Sequence, residues 1–370
     1  MTYEEIQEQI GQENLKQVFE FLDNLQSDFP IQAHAAYQQM KDNYMAKQNT
    51  TQLKAFVEEY REVLNDAIFN KWVSLGYHHD NSQQYNEAIK AYKQALTIKP
   101  ENYEIWNTLG SVYFDLDNFD AAKQAYRKAL EIKPDFHVTW LNLGGIDNKQ
   151  GDLSGAIRLY QKAIHFKPDY EEAWYNLGVM YSQQGQLYEA IDAYKKAVEF
   201  KPDHVKAWYN LALVYHDLDQ KEGALQAYQQ TIALDQNHYE AWHNLGFLYG
   251  DMGKSEEAIK AYEKALEANP QDRLPILGIG WTYFTQEQWA QAKSYFEQVP
   301  HIPNALMSLG HIAMIEADQE QALKFYQQSF AIFENKGEFF TDMEQDYRYL
   351  EAQGIQRPAF DQILTQFHTA

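Results

Sequence analysis

Residues 174–208 read WYNLGVMYSQQGQLYEAIDAYKKAVEFKPDHVKAW, and the two tryptophans that bound this stretch lie 34 residues apart. The same spacing continues in both directions along the chain. It joins six tryptophans with no insertion or deletion between them: Trp72, Trp106, Trp140, Trp174, Trp208 and Trp242. A period of this length indicates tandem copies of one supersecondary unit.

Each unit has the spacing of two amphipathic helices. A leucine follows each tryptophan by three residues, and a small residue follows by four, where a facing helix needs space: Gly76, Gly110, Gly144, Gly178, Ala212 and Gly246. The second half of each unit carries an alanine with a tyrosine four residues later: Tyr92, Tyr126, Tyr160, Tyr194, Tyr228 and Tyr262. Both spacings place their residues on one side of a helix. Prolines such as Pro134 then end the second helix.

The pattern W-x-x-L-G, A-x-x-x-Y and a terminal proline resembles the tetratricopeptide repeat. This resemblance implies an all-α fold, a right-handed superhelical solenoid of helix-turn-helix tetratricopeptide repeats with helical caps at both ends. It places about eight repeats within 69–336, at 69–102, 103–136, 137–170, 171–204, 205–238, 239–272, 273–302 (short) and 303–336 (degenerate). Pro275, Pro300 and Pro303 lie in or just after the short unit and predict a local change in helix stacking.

The resemblance also implies a concave groove, built from the first helix of each unit, that binds an extended peptide segment. One groove position carries Asn142, Asn176, Asn210 and Asn244 in four successive units. Their amides can hydrogen-bond a peptide backbone, or they can join neighbouring helices. Other predicted groove residues are apolar or aromatic and either hold anchors of the partner or pack within the chain: Tyr175, Tyr209, His243, Phe247, Trp281, Phe284 and Met307. Only Lys149 and Lys206 are basic on this wall, which disfavours a clamp for terminal carboxylates.

Residues 1–68 do not repeat, and their apolar spacing predicts helices near 3–10, 13–26, 31–47 and 51–68. Thr2 and Glu5 have the spacing of a capping box at the start of the first helix. This segment resembles the effector-associated domains of prokaryotic conflict-system proteins, which implies docking of a separately encoded effector. The alternative is an N-terminal helical cap over the first repeat. Residues 337–370 are expected to form C-terminal capping helices.

Composition narrows the function further. The net charge of −22 disfavours nucleic acid and anionic membrane surfaces as partners, and the sequence contains no cysteine.

No phosphate-loop, zinc-protease or hydrolase motif is present in the sequence, so we expect no enzyme, no cofactor and no metal site. We expect a cytoplasmic scaffold or adaptor that binds a protein or peptide partner. The alternative function is a regulatory or targeting subunit that recruits an effector through residues 1–68. The oligomeric state stays open.

Overall fold

A computed structural model describes residues 1–12, 14–48 and 50–367. Within these residues the chain forms 22 α-helices and one short 3-10 helix, and it forms no strand. The helices divide into two units, Met1–Met180 and Tyr181–Ala370, which are described separately below. Residue 13 of the predicted second helix and residues 368–370 of the predicted C-terminal cap lie outside the described residues.

The first unit contains ten helices and most of an eleventh, which crosses into the second unit. They are α1 (Tyr3–Gly11), α2 (Leu15–Leu25), α3 (Ile31–Lys47), α4 (Thr50–Glu59), α5 (Arg61–Asn81), α6 (Tyr85–Ile98), α7 (Tyr103–Asp115), α8 (Phe119–Ile132), α9 (His137–Lys149), α10 (Leu153–Phe166) and α11 (Glu171–Gln183). The predicted helix over 51–68 is wrong in its bounds. One helix ends at Glu59, and α5 begins at Arg61 after Tyr60 and continues to Asn81.

The first five helices share one hydrophobic core. Leu22, Tyr37, Leu53 and Leu64 are fully buried in it. The predicted capping box at the start of α1 is confirmed, since the Thr2 backbone N–H donates to Glu5 Oε2 over 2.8 Å and the Glu5 N–H donates to Thr2 Oγ1 over 3.2 Å. The same core also covers part of Trp72 and Ile98, so the N-terminal helices pack directly on the first repeat.

The second unit continues the hairpins and ends in two further helices. Its helices are α12 (Leu187–Phe200), α13 (Val205–Asp217), α14 (Lys221–Leu234), α15 (Tyr239–Asp251), α16 (Ser255–Ala268), α17 (Leu274–Thr285), α18 (Trp289–Phe296), α19 (Pro303–Ile315), α20 (Gln319–Ile332), α21 (Lys336–Ala352) and α22 (Arg357–Leu364). Pro275 and Pro303 lie in the first turns of α17 and α19, where a missing backbone N–H breaks no intrahelical bond.

In most of the hairpins the repeated spacing brings a glycine of the first helix against an aromatic ring of the second. A Cβ built on Gly110 would lie 2.5 Å from Tyr126, and one on Gly310 would lie 2.5 Å from Tyr326. Both tyrosines are almost completely buried. The two helices can therefore approach this closely only where the first helix carries a very small residue.

Five of the repeated tryptophans hydrogen-bond from the first helix to a carbonyl of the loop that precedes it. The indole N–H of Trp106 donates to the carbonyl of Pro100 over 2.8 Å, and Trp140 makes the same bond to Pro134. In the second unit Trp208 donates to the Pro202 carbonyl over 2.9 Å. The tryptophan thus satisfies a loop carbonyl while its ring covers apolar surface, which explains why one residue type recurs there.

Candidate functional site

The first helices of the hairpins in the second unit, α13, α15, α17 and α19, carry most of the predicted binding residues. Tyr209 and Asn210 lie on α13, His243, Asn244 and Phe247 on α15, and the remaining three on α17 and α19. We call the side of these helices that bears them the first-helix face. Asn142, Tyr175 and Asn176 hold the equivalent positions on α9 and α11 and are half-buried there.

Among the predicted asparagines, Asn142 and Asn244 each hydrogen-bond to the preceding first helix. In the first unit, Asn142 Nδ2 donates to Asn107 Oδ1 over 3.2 Å, and Thr139 also donates to that oxygen over 2.8 Å. In the second unit, Asn244 Nδ2 donates to the Tyr209 hydroxyl over 3.1 Å. These bonds match the structural alternative for the asparagine positions. Each amide also has a carbonyl oxygen that could accept a hydrogen bond from a partner.

Phe247 is the most open of the predicted aromatic contacts, with 52% of its surface exposed. Its neighbour His243 is half-buried beside Tyr262, with ring centroids 5.5 Å apart. Burial lowers the pKa of His243, so its ring is neutral at pH 7. His243 Nδ1 has no hydrogen-bond partner among the described residues. This part of the first-helix face is therefore apolar and uncharged.

Phe284 and Met307 were predicted to line an open groove, but both side chains are buried, so a partner cannot contact them in this structure. Each is only 1% exposed. Helix α21 contributes to this burial, because Tyr349 packs on Phe284 with centroids 6.2 Å apart and Met307 shares a core with Met343. Trp289 of α18 also packs on Phe284, at 5.1 Å. The helix after the last hairpin thus covers a part of the first-helix face that the sequence pattern alone left open.

Trp281 lies at the edge of the covered part. Its ring stacks on Phe284 at 4.9 Å with an interplanar angle of 9°, and Tyr349 meets it edge-on at 5.4 Å. Gln353, which follows α21, donates to Glu287 over 2.8 Å and ties the end of that helix to the turn after α17. Trp281 is consequently held in a fixed orientation while it remains partly exposed.

A pocket of about 340 Å³ opens where α15, α17, α19 and α21 meet. Its size is at the lower end of the range for small-ligand sites, which suits one or two side chains. Three of the predicted contacts line it, namely His243, Phe247 and Trp281. The other lining residues were not predicted as contacts: Tyr262, Leu274, Leu277, Gly278, Asn304, Ser308, Asp342, Gln345 and Asp346.

The wall that α21 contributes is acidic. Asp342 Oδ2 accepts a hydrogen bond from Asn304 over 3.1 Å, and Asp346 Oδ2 lies 3.2 Å from His311 Nε2. Burial raises the pKa of Asp342, and the neighbouring charges of Asp346 and Glu338 raise it further against the opposing effect of the Asn304 bond. Sequence reasoning missed these aspartates because they belong to a helix outside the repeats.

The described helices include none with the length and hydropathy required to cross a lipid bilayer.

Comparisons with known proteins agree with the repeat pattern. Residues 82–143 match the family profile described as tetratricopeptide repeat, and residues 138–302 match the profile of the cilia and flagella-associated protein 70 C-terminal domain. No curated protein sequence matches the chain.

Three solved structures are similar to about half of this chain. PilF of Pseudomonas aeruginosa has 17% sequence identity and a TM-score of 0.50, over 57% of this chain and 96% of PilF. MamA has 26% identity and a TM-score of 0.38, over 53% of this chain and 97% of MamA. YrrB, described as a TPR protein with an unusual peptide-binding site, has 19% identity and a TM-score of 0.46, over 51% and 97%. The likeness to PilF shows an all-α helical-repeat solenoid.

Proposed function

We propose that the chain is a tetratricopeptide-repeat scaffold without catalytic activity, which binds an extended segment of a partner protein on its first-helix face. A helical hairpin cannot bury its apolar stripe alone, so neighbouring hairpins stack and leave a long wall of first helices. Such a wall offers many shallow contacts along a peptide and no enclosed catalytic centre.

The observation that carries this proposal is the exposure of Phe247 at the pocket between α15, α17, α19 and α21. Aromatic side chains contribute most strongly to binding where they form a rigid, partly desolvated wall. Phe247 has this setting, because half-buried Trp281 and neutral His243 line the same pocket. An apolar side chain of a partner that entered here would remove water from all three rings.

The amides beside this wall support an extended ligand. Asn244 is held by its bond to Tyr209, so its carbonyl oxygen keeps a fixed position from which it can accept a hydrogen bond. Groups of this kind bind the backbone of an extended peptide without selecting for sequence. The apolar pocket would then select particular side chains.

Peptide display on the purified full-length protein tests the proposal. A library of random peptides is selected for binding, and the affinities of enriched peptides are measured for the wild type and for two variants. Phe247→Ala should weaken binding at least about tenfold, which corresponds to about 1.4 kcal/mol. Tyr188→Ala is the matched control, since Tyr188 is an even more open aromatic residue, 66% exposed, on the second helix α12.

The two variants separate the outcomes. Equal affinities for Phe247→Ala and the wild type would contradict binding on this face, as would an equal loss with Tyr188→Ala. Far-ultraviolet circular dichroism of each variant verifies that the helices are intact. Neither side chain is buried, so neither substitution should lower the melting temperature by more than a degree or two.

A second candidate function is effector recruitment through residues 1–68. Helix α3 supports it, because Ile31 and Met45 are 89% and 72% exposed and lie within about 40° of each other around that helix at 100° per residue. Deletion of 1–68 would uncover Trp72 and Ile98 of the first repeat, so point variants are the better test. Loss of a bound effector with Ile31→Ser and Met45→Ser, but not with Ile132→Ser, would favour this function.

A further inference from the structure

The pocket between α15, α17, α19 and α21 combines an apolar wall with an acidic one. We propose that it receives the side chain of an arginine in the bound partner segment, with the guanidinium group between Trp281 and the carboxylates of Asp342 and Asp346. This inference rests on the proposed function, and it adds the residue type that the first-helix face selects.

The apolar wall matches the stem and the flat faces of arginine. Leu277 and the half-exposed Leu274 and Phe247 line the pocket, and the methylene groups of a long side chain can pack on them. Trp281 lines the same pocket and is oriented by Phe284 and Tyr349. A planar guanidinium stacks on an aromatic ring and is more weakly hydrated than an ammonium group, so arginine suits this wall better than lysine does.

The acidic wall provides the opposite charge. Asp342 and Asp346 are four residues apart on α21, so their side chains lie on one face of the helix with Cβ atoms about 6 Å apart. The hydrogen-bond partner of Asp342 is the neutral amide of Asn304, and no ion pair to Asp342 is present in the part of the chain described. Lysine and arginine are absent from the residues that line the pocket.

The electrostatic environment of Asp342 favours an added cation. Burial and the charges of Asp346 and Glu338 raise the pKa of Asp342, which means that its ionised form is destabilised. A guanidinium group at hydrogen-bond distance would reverse this effect. His243, which lines the pocket from α15, has a pKa lowered by burial and so adds no positive charge at pH 7.

The chain itself shows how arginine is held by the same helix. Arg357 donates to both carboxylate oxygens of Glu344 on α21, over 2.8 and 2.7 Å, and to Asp361 over 2.7 Å. Its guanidinium carbon lies 5.0 Å from the centre of the Tyr347 ring. An aromatic ring and a carboxylate of α21 therefore hold one guanidinium group together with a carboxylate of α22. The pocket offers an aromatic ring and two carboxylates, and none of its lining residues is an arginine.

A titration with small probes tests the pocket directly. Nα-acetyl-arginine amide is added to the 15N-labelled full-length protein, and the indole N–H resonance of Trp281, assigned with Trp281→Phe, is followed by NMR. The neutral analogue Nα-acetyl-citrulline amide is the control probe, because it has nearly the same shape without the charge. We expect a saturable shift with the arginine probe, a weaker one with the lysine analogue and none with citrulline.

Variants link the shift to the acidic wall. Asp342→Asn should weaken binding of the arginine probe about fivefold, the effect of losing one partly exposed ion pair. Its introduced amide oxygen can still accept from Asn304, so the fold should persist. Asp192→Asn removes the same charge from an exposed site on α12 and should leave the affinity unchanged. Equal binding of citrulline, or equal loss with both variants, would overturn the proposal.

The peptide selection separates this inference from the proposed function. Peptides that depend on Phe247 and carry arginine at a fixed position support both. Peptides that depend on Phe247 without a recurring arginine leave the scaffold proposal intact and contradict the arginine pocket. If the arginine probe binds at Trp281 while no selected peptide depends on Phe247, the pocket stands and the peptide-binding function fails.

Discussion

At the scale of single residues, the turn between the two helices of each hairpin requires a left-handed backbone. Three hairpins use glycine there, Gly151, Gly185 and Gly253, with φ between 71° and 80°. The turn between α19 and α20 instead uses Ala317, with φ of 62°. A left-handed conformation costs an L-residue with a Cβ roughly 1–2 kcal/mol. The backbone at Ala317 is therefore strained at a position where three other hairpins have a glycine without this strain.

We expect Ala317→Gly to stabilise the protein. Removal of the Cβ relieves the strain, and the extra freedom of glycine in the unfolded chain offsets part of the gain, so the net change should be about 1 kcal/mol or less. Ala55→Gly is the control, because Ala55 is exposed in the middle of α4 and its replacement should cost about 1 kcal/mol. Urea unfolding that shows the same sign for both variants would contradict the prediction.

At the scale of helices, the repeat hairpins could be predicted from sequence because their signals are local. Each Gly-to-tyrosine contact, such as Gly110 with Tyr126, joins two residues of one unit at a fixed spacing. The length of α5 was not predictable in this way, since Tyr60 carries no helix-stop signal and nothing in the pattern marks residue 68 as internal to a helix. Periodicity locates a helix better than it locates its ends.

The candidate site was predictable only where it belongs to the repeats. Phe247 and Trp281 followed from their positions in the units, and both line the pocket. Phe284 followed from the same rule but is buried, because Tyr349 of α21 packs against it. No feature of the sequence pattern predicted Asp342 and Asp346 as residues of the site. Where a terminal helix packs depends on contacts between residues far apart in sequence, which a repeat period does not encode.

The packing of α21 gives a prediction about stability and pH. The folded pKa of Asp342 is raised above its value of 3.8 in the unfolded chain, so ionisation of this group opposes folding at neutral pH. That cost is present above the folded pKa and disappears as the pH falls through it. Asp342→Asn should therefore raise the free energy of unfolding at pH 7, with a smaller gain as the pH approaches 4.

Thermal or urea unfolding at several pH values measures this difference. The exposed Asp192→Asn removes the same formal charge, so it corrects for the general repulsion within a chain of net charge −22. The prediction would be contradicted if the stability gain at pH 7 were no larger for Asp342→Asn than for Asp192→Asn, because the ionised form of Asp342 would then not be destabilised in the folded protein. The neighbouring Asp346 and Glu338 stay unchanged in both variants.

At the scale of the whole molecule, the chain is a series of hairpins in which packing is local. The core around Tyr126 includes Ala122, Leu143 and Ile146, which all belong to its own hairpin or to the next one. The core around Tyr326 likewise draws on α19, α20, α21 and α22. In proteins of this kind stability is approximately a sum over repeats and their nearest-neighbour interfaces. Damage to one hairpin should therefore remain near that hairpin.

Hydrogen exchange can verify this directly with two matched variants. Tyr126→Ala removes a buried ring from α8 and should cost about 3–5 kcal/mol locally. We expect faster exchange in α7 and α8 and in the flanking α6 and α9, with unchanged protection in α19 and α20. Tyr326→Ala, which removes the equivalent ring from α20, should produce the reverse pattern. If either variant loosens every helix equally, the chain unfolds as a single cooperative unit, and the repeats do not have the independence that their sequence period implies.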